Sequence, residues 1–157
     1  MSYSRSGLWL AVGANGTLLS SLDGATWTAQ TSGVSTDLMG AAYRPATTVV
    51  TTLPVAATAS TLAAYIVVGA DGVVLYSTDA VTWTPKTSTV NTSLLAVSPS
   101  PNQFLAVGAA GTVVSSPDGL TWAAAAPVSG LASLYGLTNV RSQYVAVGAA
   151  GATFYSR

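Results

Sequence analysis

Tyr65-Ile66-Val67-Val68-Gly69-Ala70-Asp71-Gly72 runs into Val73-Val74-Leu75-Tyr76-Ser77 and then into Thr78-Asp79-Ala80-Val81-Thr82-Trp83. The opening four residues are apolar throughout, as in a strand covered on both faces. Asp71-Gly72 is a hairpin signal, because both residues accept the positive φ that a type I′ turn requires. The residues after it form the return strand. Three other segments align with the opening eight without gaps: Trp9 to Gly16, Phe104 to Gly111 and Tyr144 to Gly151. Their first glycines stand at 13, 69, 108 and 148, at intervals of 56, 39 and 40. One unit is therefore about forty residues long, with about seventeen extra in the first interval.

A complete unit holds two more strand signals. One starts at the tryptophans Trp27, Trp83 and Trp122; the other at Leu38-Met39-Gly40, Leu94-Leu95-Ala96 and Leu134-Tyr135-Gly136. Four short strands per forty residues, joined by tight turns and without helical periodicity, is the signature of a propeller blade. The expected fold is all-β: β-propeller-type blades of four antiparallel strands, about 3.5–4 blades and about fourteen strands in one domain over residues 1–157. Met1 aligns with Gly136, so the first blade is expected to lack most of its first strand. Arg157 follows Ser156, so the fourth is expected to lack its last turn and strand. A second copy of the chain could complete such a ring.

The turns before the tryptophans are Ser21-Leu22-Asp23-Gly24-Ala25-Thr26-Trp27, Ser77-Thr78-Asp79-Ala80-Val81-Thr82-Trp83 and Ser116-Pro117-Asp118-Gly119-Leu120-Thr121-Trp122. They resemble Asp-box (BNR-type) repeats, with one residue fewer between Asp and Trp than is usual, and the middle copy has lost the glycine. The resemblance implies a turn between the third and fourth strands of each blade, as in sialidases and photosystem II assembly propellers. Each residue has a structural role open to it. The carboxylate can accept backbone N–H bonds of its own turn, Gly24 and Gly119 can supply positive φ, and the indole can be buried between blades with its N–H on a carbonyl. The functional alternative is that these aspartates bind Ca²⁺ or sugar hydroxyls.

Charged residues are 6% of the 157, against about 25% in an ordinary domain. There is no Glu, His or Cys; the charges are Lys86, Arg5, Arg44, Arg141, Arg157, Asp23, Asp37, Asp71, Asp79 and Asp118. A net charge of zero draws the chain to neither nucleic acid nor an anionic membrane. No apolar run approaches the ~20 residues of a membrane helix, so no membrane insertion is expected. Gly7 to Ala14 after Arg5 imitates a signal peptide, but its pattern recurs at Phe104 to Gly108 and Tyr144 to Gly148, so no signal peptide is read.

Catalysis has little to work with. Three aspartates sit in the turns and Asp71 in a hairpin, which leaves Asp37 as the one uncommitted carboxylate. That single carboxylate argues against a paired-carboxylate glycosidase, and the absence of His and Cys excludes a Ser-His-Asp set and a His/Cys zinc site. The arginine cluster and the tyrosine–glutamate pair of a sialidase are missing as well. Gly-x-x-Gly opens no helix here, so it is a hairpin and not a phosphate loop. The expectation is a non-enzyme without cofactor or metal.

Residues 46–62 fall between the first and second strands of the second blade. Thr48, Val49, Val50, Leu53, Pro54 and Val55 mark an uncharged stretch that alternates Thr with aliphatics. It reads as a β-hairpin arm, an aggregation hazard that a covering partner would remove, or else as a long loop solubilised by threonines. Together these features point to a structural or attachment protein of an assembly, such as a bacteriophage tail, fibre or head-decoration component. Its expected partners are further copies of itself or other virion proteins, and its expected place is virion or extracellular. The alternative is a glycan-binding propeller lectin, in which the stock of aromatics meets cell-surface glycan. The repeated ones, Trp9, Tyr65, Phe104 and Tyr144 in the second strands and the tryptophans of the turns, pack the core in the first reading.

Overall fold

The structure is a computed structural model. It describes residues 2–3, 7–49, 59–61, 63–125, 133–140 and 143–156, of which 2–3, 47–49 and 59–61 are described in backbone only. The first sheet has β1 (Ser2–Tyr3), β2 (Trp9–Val12), β3 (Leu18–Ser21) and β4 (Thr28–Gln30) in that order. The second begins with β5 (Leu38–Arg44). The chain then makes β6 (Thr47–Val49) and β7 (Ala59–Thr61), a separate two-stranded ribbon. It returns through β8 (Ala64–Gly69), β9 (Val74–Ser77) and β10 (Thr84–Lys86), giving the order β10-β9-β8-β5. The third sheet is β11 (Leu94–Pro99), β12 (Phe104–Gly108), β13 (Val113–Ser116) and β14 (Ala123–Ala124). The fourth has three strands: β15 (Leu134–Val140), β16 (Gln143–Gly148) and β17 (Thr153–Tyr155). All pairings are antiparallel.

These are four successive blades, and the chain is an all-β array of propeller type. First strands lie side by side: β5 packs on β1 and on β11, and β11 packs on β15. One strand more than expected is present in the blades, because Ser2 and Tyr3 pair with Leu10 and Trp9 as a two-residue first strand. Each complete first strand carries the same register shift, at Leu38/Gly40, Leu94/Ala96 and Leu134/Gly136. Shared defects of this kind mark repeated units of one design.

The hairpins behave as their sequence predicts. Asp71 and Gly72 take φ of 56° and 71°. Ala110 and Ala150 adopt φ of 52° and 55°, a left-handed conformation that alanine enters at a cost of about 1 kcal/mol. What the sequence does not announce is a tie inside each of the last three blades. The N–H groups of Ala70, Ala109 and Ala149 donate to the carbonyls of Asp37, Ser93 and Ser133, each in the segment that leads into its own blade's first strand. Gly108 is required there, since a Cβ on it would lie 2.0 Å from the Ser93 carbonyl oxygen.

Candidate functional site

The three Ser-x-Asp turns share one hydrogen-bond scheme. Asp23 Oδ1 accepts from Ser21 Oγ at 2.9 Å and from the N–H groups of Ala25 and Thr26 at 2.8 and 2.7 Å. Ser21 Oγ in turn accepts from Gly24 N–H at 2.9 Å. Asp79 and Asp118 repeat the scheme with Val81 and Thr82, and with Leu120 and Thr121. Backbone bonds from Thr26 and Ala25 hold the Asp23 carboxyl far below its ordinary value, and those from Thr82 and Val81 bring Asp79 down to about 2. Burial pushes Asp118 up, but bonds from Thr121 and Leu120 outweigh it and the net shift is downward. One oxygen of each carboxylate is thus committed to its own loop. Gly24 and Gly119 adopt φ of 74° and 83°, and Ala80 adopts 61° in the same place.

The tryptophans that end these turns have unequal surroundings. Trp122 is 3% exposed and lies in the apolar cluster between the second and third blades. That cluster also holds Ile66, Val68 and Val74 of the second blade, and Leu94, Val97, Phe104, Ala106 and Val114 of the third. Its indole N–H donates to the Gly119 carbonyl at 3.1 Å. Trp83 packs half-buried against the two clusters between the first and second blades, and its indole N–H is buried without a partner. Trp27 corrects the expectation of burial between blades: it is half-buried and belongs to none of the buried clusters. The reason is directional. Each turn tryptophan packs on the preceding blade, and among the described residues no blade precedes the first.

Arg44 closes the same second–third interface, and nothing in the repeat forecast it. It ends β5, is 5% exposed, donates from Nη1 to the Pro117 carbonyl at 2.8 Å and stands 4.4 Å over the Phe104 ring. Burial lowers its pKa and the nearby Asp118 carboxylate opposes that. Its counterparts in the next two blades are Ser100 and Val140, so its isolation in the alignment was the available signal.

The third–fourth interface has the same walls without the tryptophan. Leu105, Val107 and Val113 occupy the positions of Ile66, Val68 and Val74; Leu134, Leu137, Tyr144, Ala146 and Phe154 occupy those of Leu94, Val97, Phe104, Ala106 and Val114. These eight residues, with Tyr155 and Ser156, line a cavity of about 140 Å³. Tyr144 donates its hydroxyl to the Gln103 carbonyl at 3.0 Å, and Ser156 Oγ accepts from Tyr144 N–H at 2.8 Å.

Two faces of the array remain. On the fourth blade, Val147 and Tyr155 are 47% and 68% exposed, whereas Val68 and Val107 at the first of these positions are fully buried. On the first blade, Ala11, Leu19 and Trp27 are half-buried, whereas the equivalent Val67 and Leu75 are fully buried. Aligning the repeats and asking which neighbour each blade lacks would have found both faces.

The other expected residues fall as follows. Tyr65, Phe104 and Tyr144 are buried, so their rings are core and offer no platform for sugar. Asp37, left uncommitted by the sequence, accepts from Asn15 N–H at 2.9 Å. Thr48 pairs with Ser60 and Val49 with Ala59, so the base of the expected arm is a β-ribbon. Val50, Leu53, Pro54 and Val55 lie outside the described residues. Among the described residues, no group of three or more Asp side chains is placed to hold a metal ion, and no helix is long and apolar enough to cross a membrane.

The fold and its interfaces thus define a class: a repeat protein of antiparallel propeller-type blades whose described end faces are apolar. No family model matches the chain, and no curated protein does. Among solved structures it is similar to one described as "YCF48 bound to D1 peptide", a β-propeller protein, at 14% identity and a TM-score of 0.45. The match covers 99% of this chain and 63% of that one, so the chain spans a little under two thirds of its neighbour's length.

Proposed function

We propose that the chain is a non-enzymatic structural or attachment component of a protein assembly, built head to tail through its two end blades. The observation that supports this is the pair of apolar faces just described. The fourth blade presents the kind of face that interior blades bury, and the first presents the complementary kind. A contact between such unlike faces is heterologous, and it closes into a ring or propagates as a fibre depending on its rotation. The near-absence of charge and the uncharged arm at 46–62 favour the same reading, with a bacteriophage virion as its setting. The Ser-x-Asp turns serve in it as Asp-box-type folding devices.

Light scattering tests this. The wild-type chain is expected at a multiple of its 15.7 kDa mass. Val147→Lys on the fourth blade, or Leu19→Lys on the first, should each reduce it to a monomer. Mixing the two variants restores one intact pair of faces and should yield a dimer. A monodisperse wild-type monomer at high protein concentration overturns the reading.

A further inference from the structure

We propose that the cavity between the third and fourth blades, together with the outer edge of β17, is a docking site for a strand donated by another polypeptide, with a tryptophan as the anchoring residue. Three observations carry this. First, eight of the residues that line the cavity occupy the positions of eight members of the apolar cluster that holds Trp122 one blade earlier. Second, β3, β9 and β13 each pair on both sides, whereas β17 pairs with β16 alone among the described residues. A strand edge with free N–H and C=O groups beside an apolar pocket is the geometry of β-augmentation, in which the backbone supplies affinity and the pocket supplies specificity. Third, the size suits one ring system: an apolar cavity of about 150 Å³ takes up benzene, and this one measures about 140 Å³.

The register follows from the third blade. Ala123, one residue beyond Trp122, pairs with Ser115. Tyr155 is the counterpart of Ser115, so the guest residue following the tryptophan should pair opposite Tyr155, antiparallel to β17. This site lies between the third and fourth blades and shares only Tyr155 with the end faces invoked for assembly, so a monomer that binds the strand would sink that reading and keep this one.

The test uses the full chain and a fluorescein-labelled peptide with the sequence of residues 116–126, read by fluorescence anisotropy. Saturable binding is expected, weakened by at least about tenfold when the peptide's tryptophan is replaced by alanine. Ala146→Leu fills the cavity from its wall; the folded variant should retain or raise its melting temperature and lose peptide binding by at least about tenfold. Should that variant fail to fold, Phe154→Trp obstructs the same space and is read in the same way. No saturable binding up to about 1 mM, equal binding of the alanine peptide, or undiminished binding to a folded cavity-filled variant overturns the proposal.

Discussion

The interface between the second and third blades and the one between the third and fourth are built from the same positions of one repeat, yet they differ in completeness. In the former, Trp122 fills the space and Arg44 bridges from β5 to the Pro117 carbonyl. In the latter, the tryptophan position is a cavity and the residue corresponding to Arg44 is a half-buried serine, Ser100. A solenoid-like array draws its stability from contacts between neighbouring units as well as from the units themselves. A side chain's contribution is therefore set by the blade on its far side.

The largest expected effect tests that statement directly. Trp122→Ala should cost about 3–5 kcal/mol in urea unfolding, and Trp27→Ala about 1 kcal/mol or less, although both occupy one place in the repeat. Equal losses would break the comparison. Next comes a pair of glycines in one conformation. Gly72 and Gly151 have φ of 71° and 73°, but a Cβ on Gly72 would sit 2.0 Å from the Val90 carbonyl oxygen while one on Gly151 meets nothing within 4 Å. Gly72→Ala should cost about 2–3 kcal/mol, and Gly151→Ala only the left-handed penalty of about 1 kcal/mol. Third, Trp122→Phe should lose the bond to Gly119 and about 1 kcal/mol, while Trp83→Phe, whose indole N–H is unpartnered, should lose less. Ala110→Asn should gain about 0.5–1 kcal/mol in melting experiments by easing its left-handed turn.

The smallest effect per residue is the acid response of the turns. Asp23, Asp79 and Asp118 all have lowered pKa values in the folded chain. Their stabilisation is fully present above the unfolded value of 3.8 and is lost as pH falls through the folded ones, which for Asp79 lies at about 2. The melting temperature should therefore hold between about pH 8 and pH 5 and drop below about pH 4. Asp79→Asn should shrink that drop; an unchanged drop would remove the turns as its source.

The fold was legible because its signals are local. Asn15-Gly16 and Asp71-Gly72 name their hairpins, and the leucines at 38, 94 and 134 open first strands where the alignment puts them. Each turn aspartate bonds within three residues of itself, so its role could be read from the chain alone. Burial of the tryptophans was legible only in part, because the ring packs on residues some fifty positions away in the preceding blade. Arg44 and Pro117 are 73 residues apart, and no local pattern links them.

By itself the sequence determined the period, the blades, their turns and the poverty of catalytic groups, since each depends on residue type and near-neighbour geometry. Tertiary structure decided which copies of a repeated position are buried: Trp122 but not Trp27, Val107 but not Val147. The physical reason is that a repeat encodes both faces of its blade identically, while burial requires a neighbour. A repeated residue becomes core where the next blade stands against it, and a docking surface where none does.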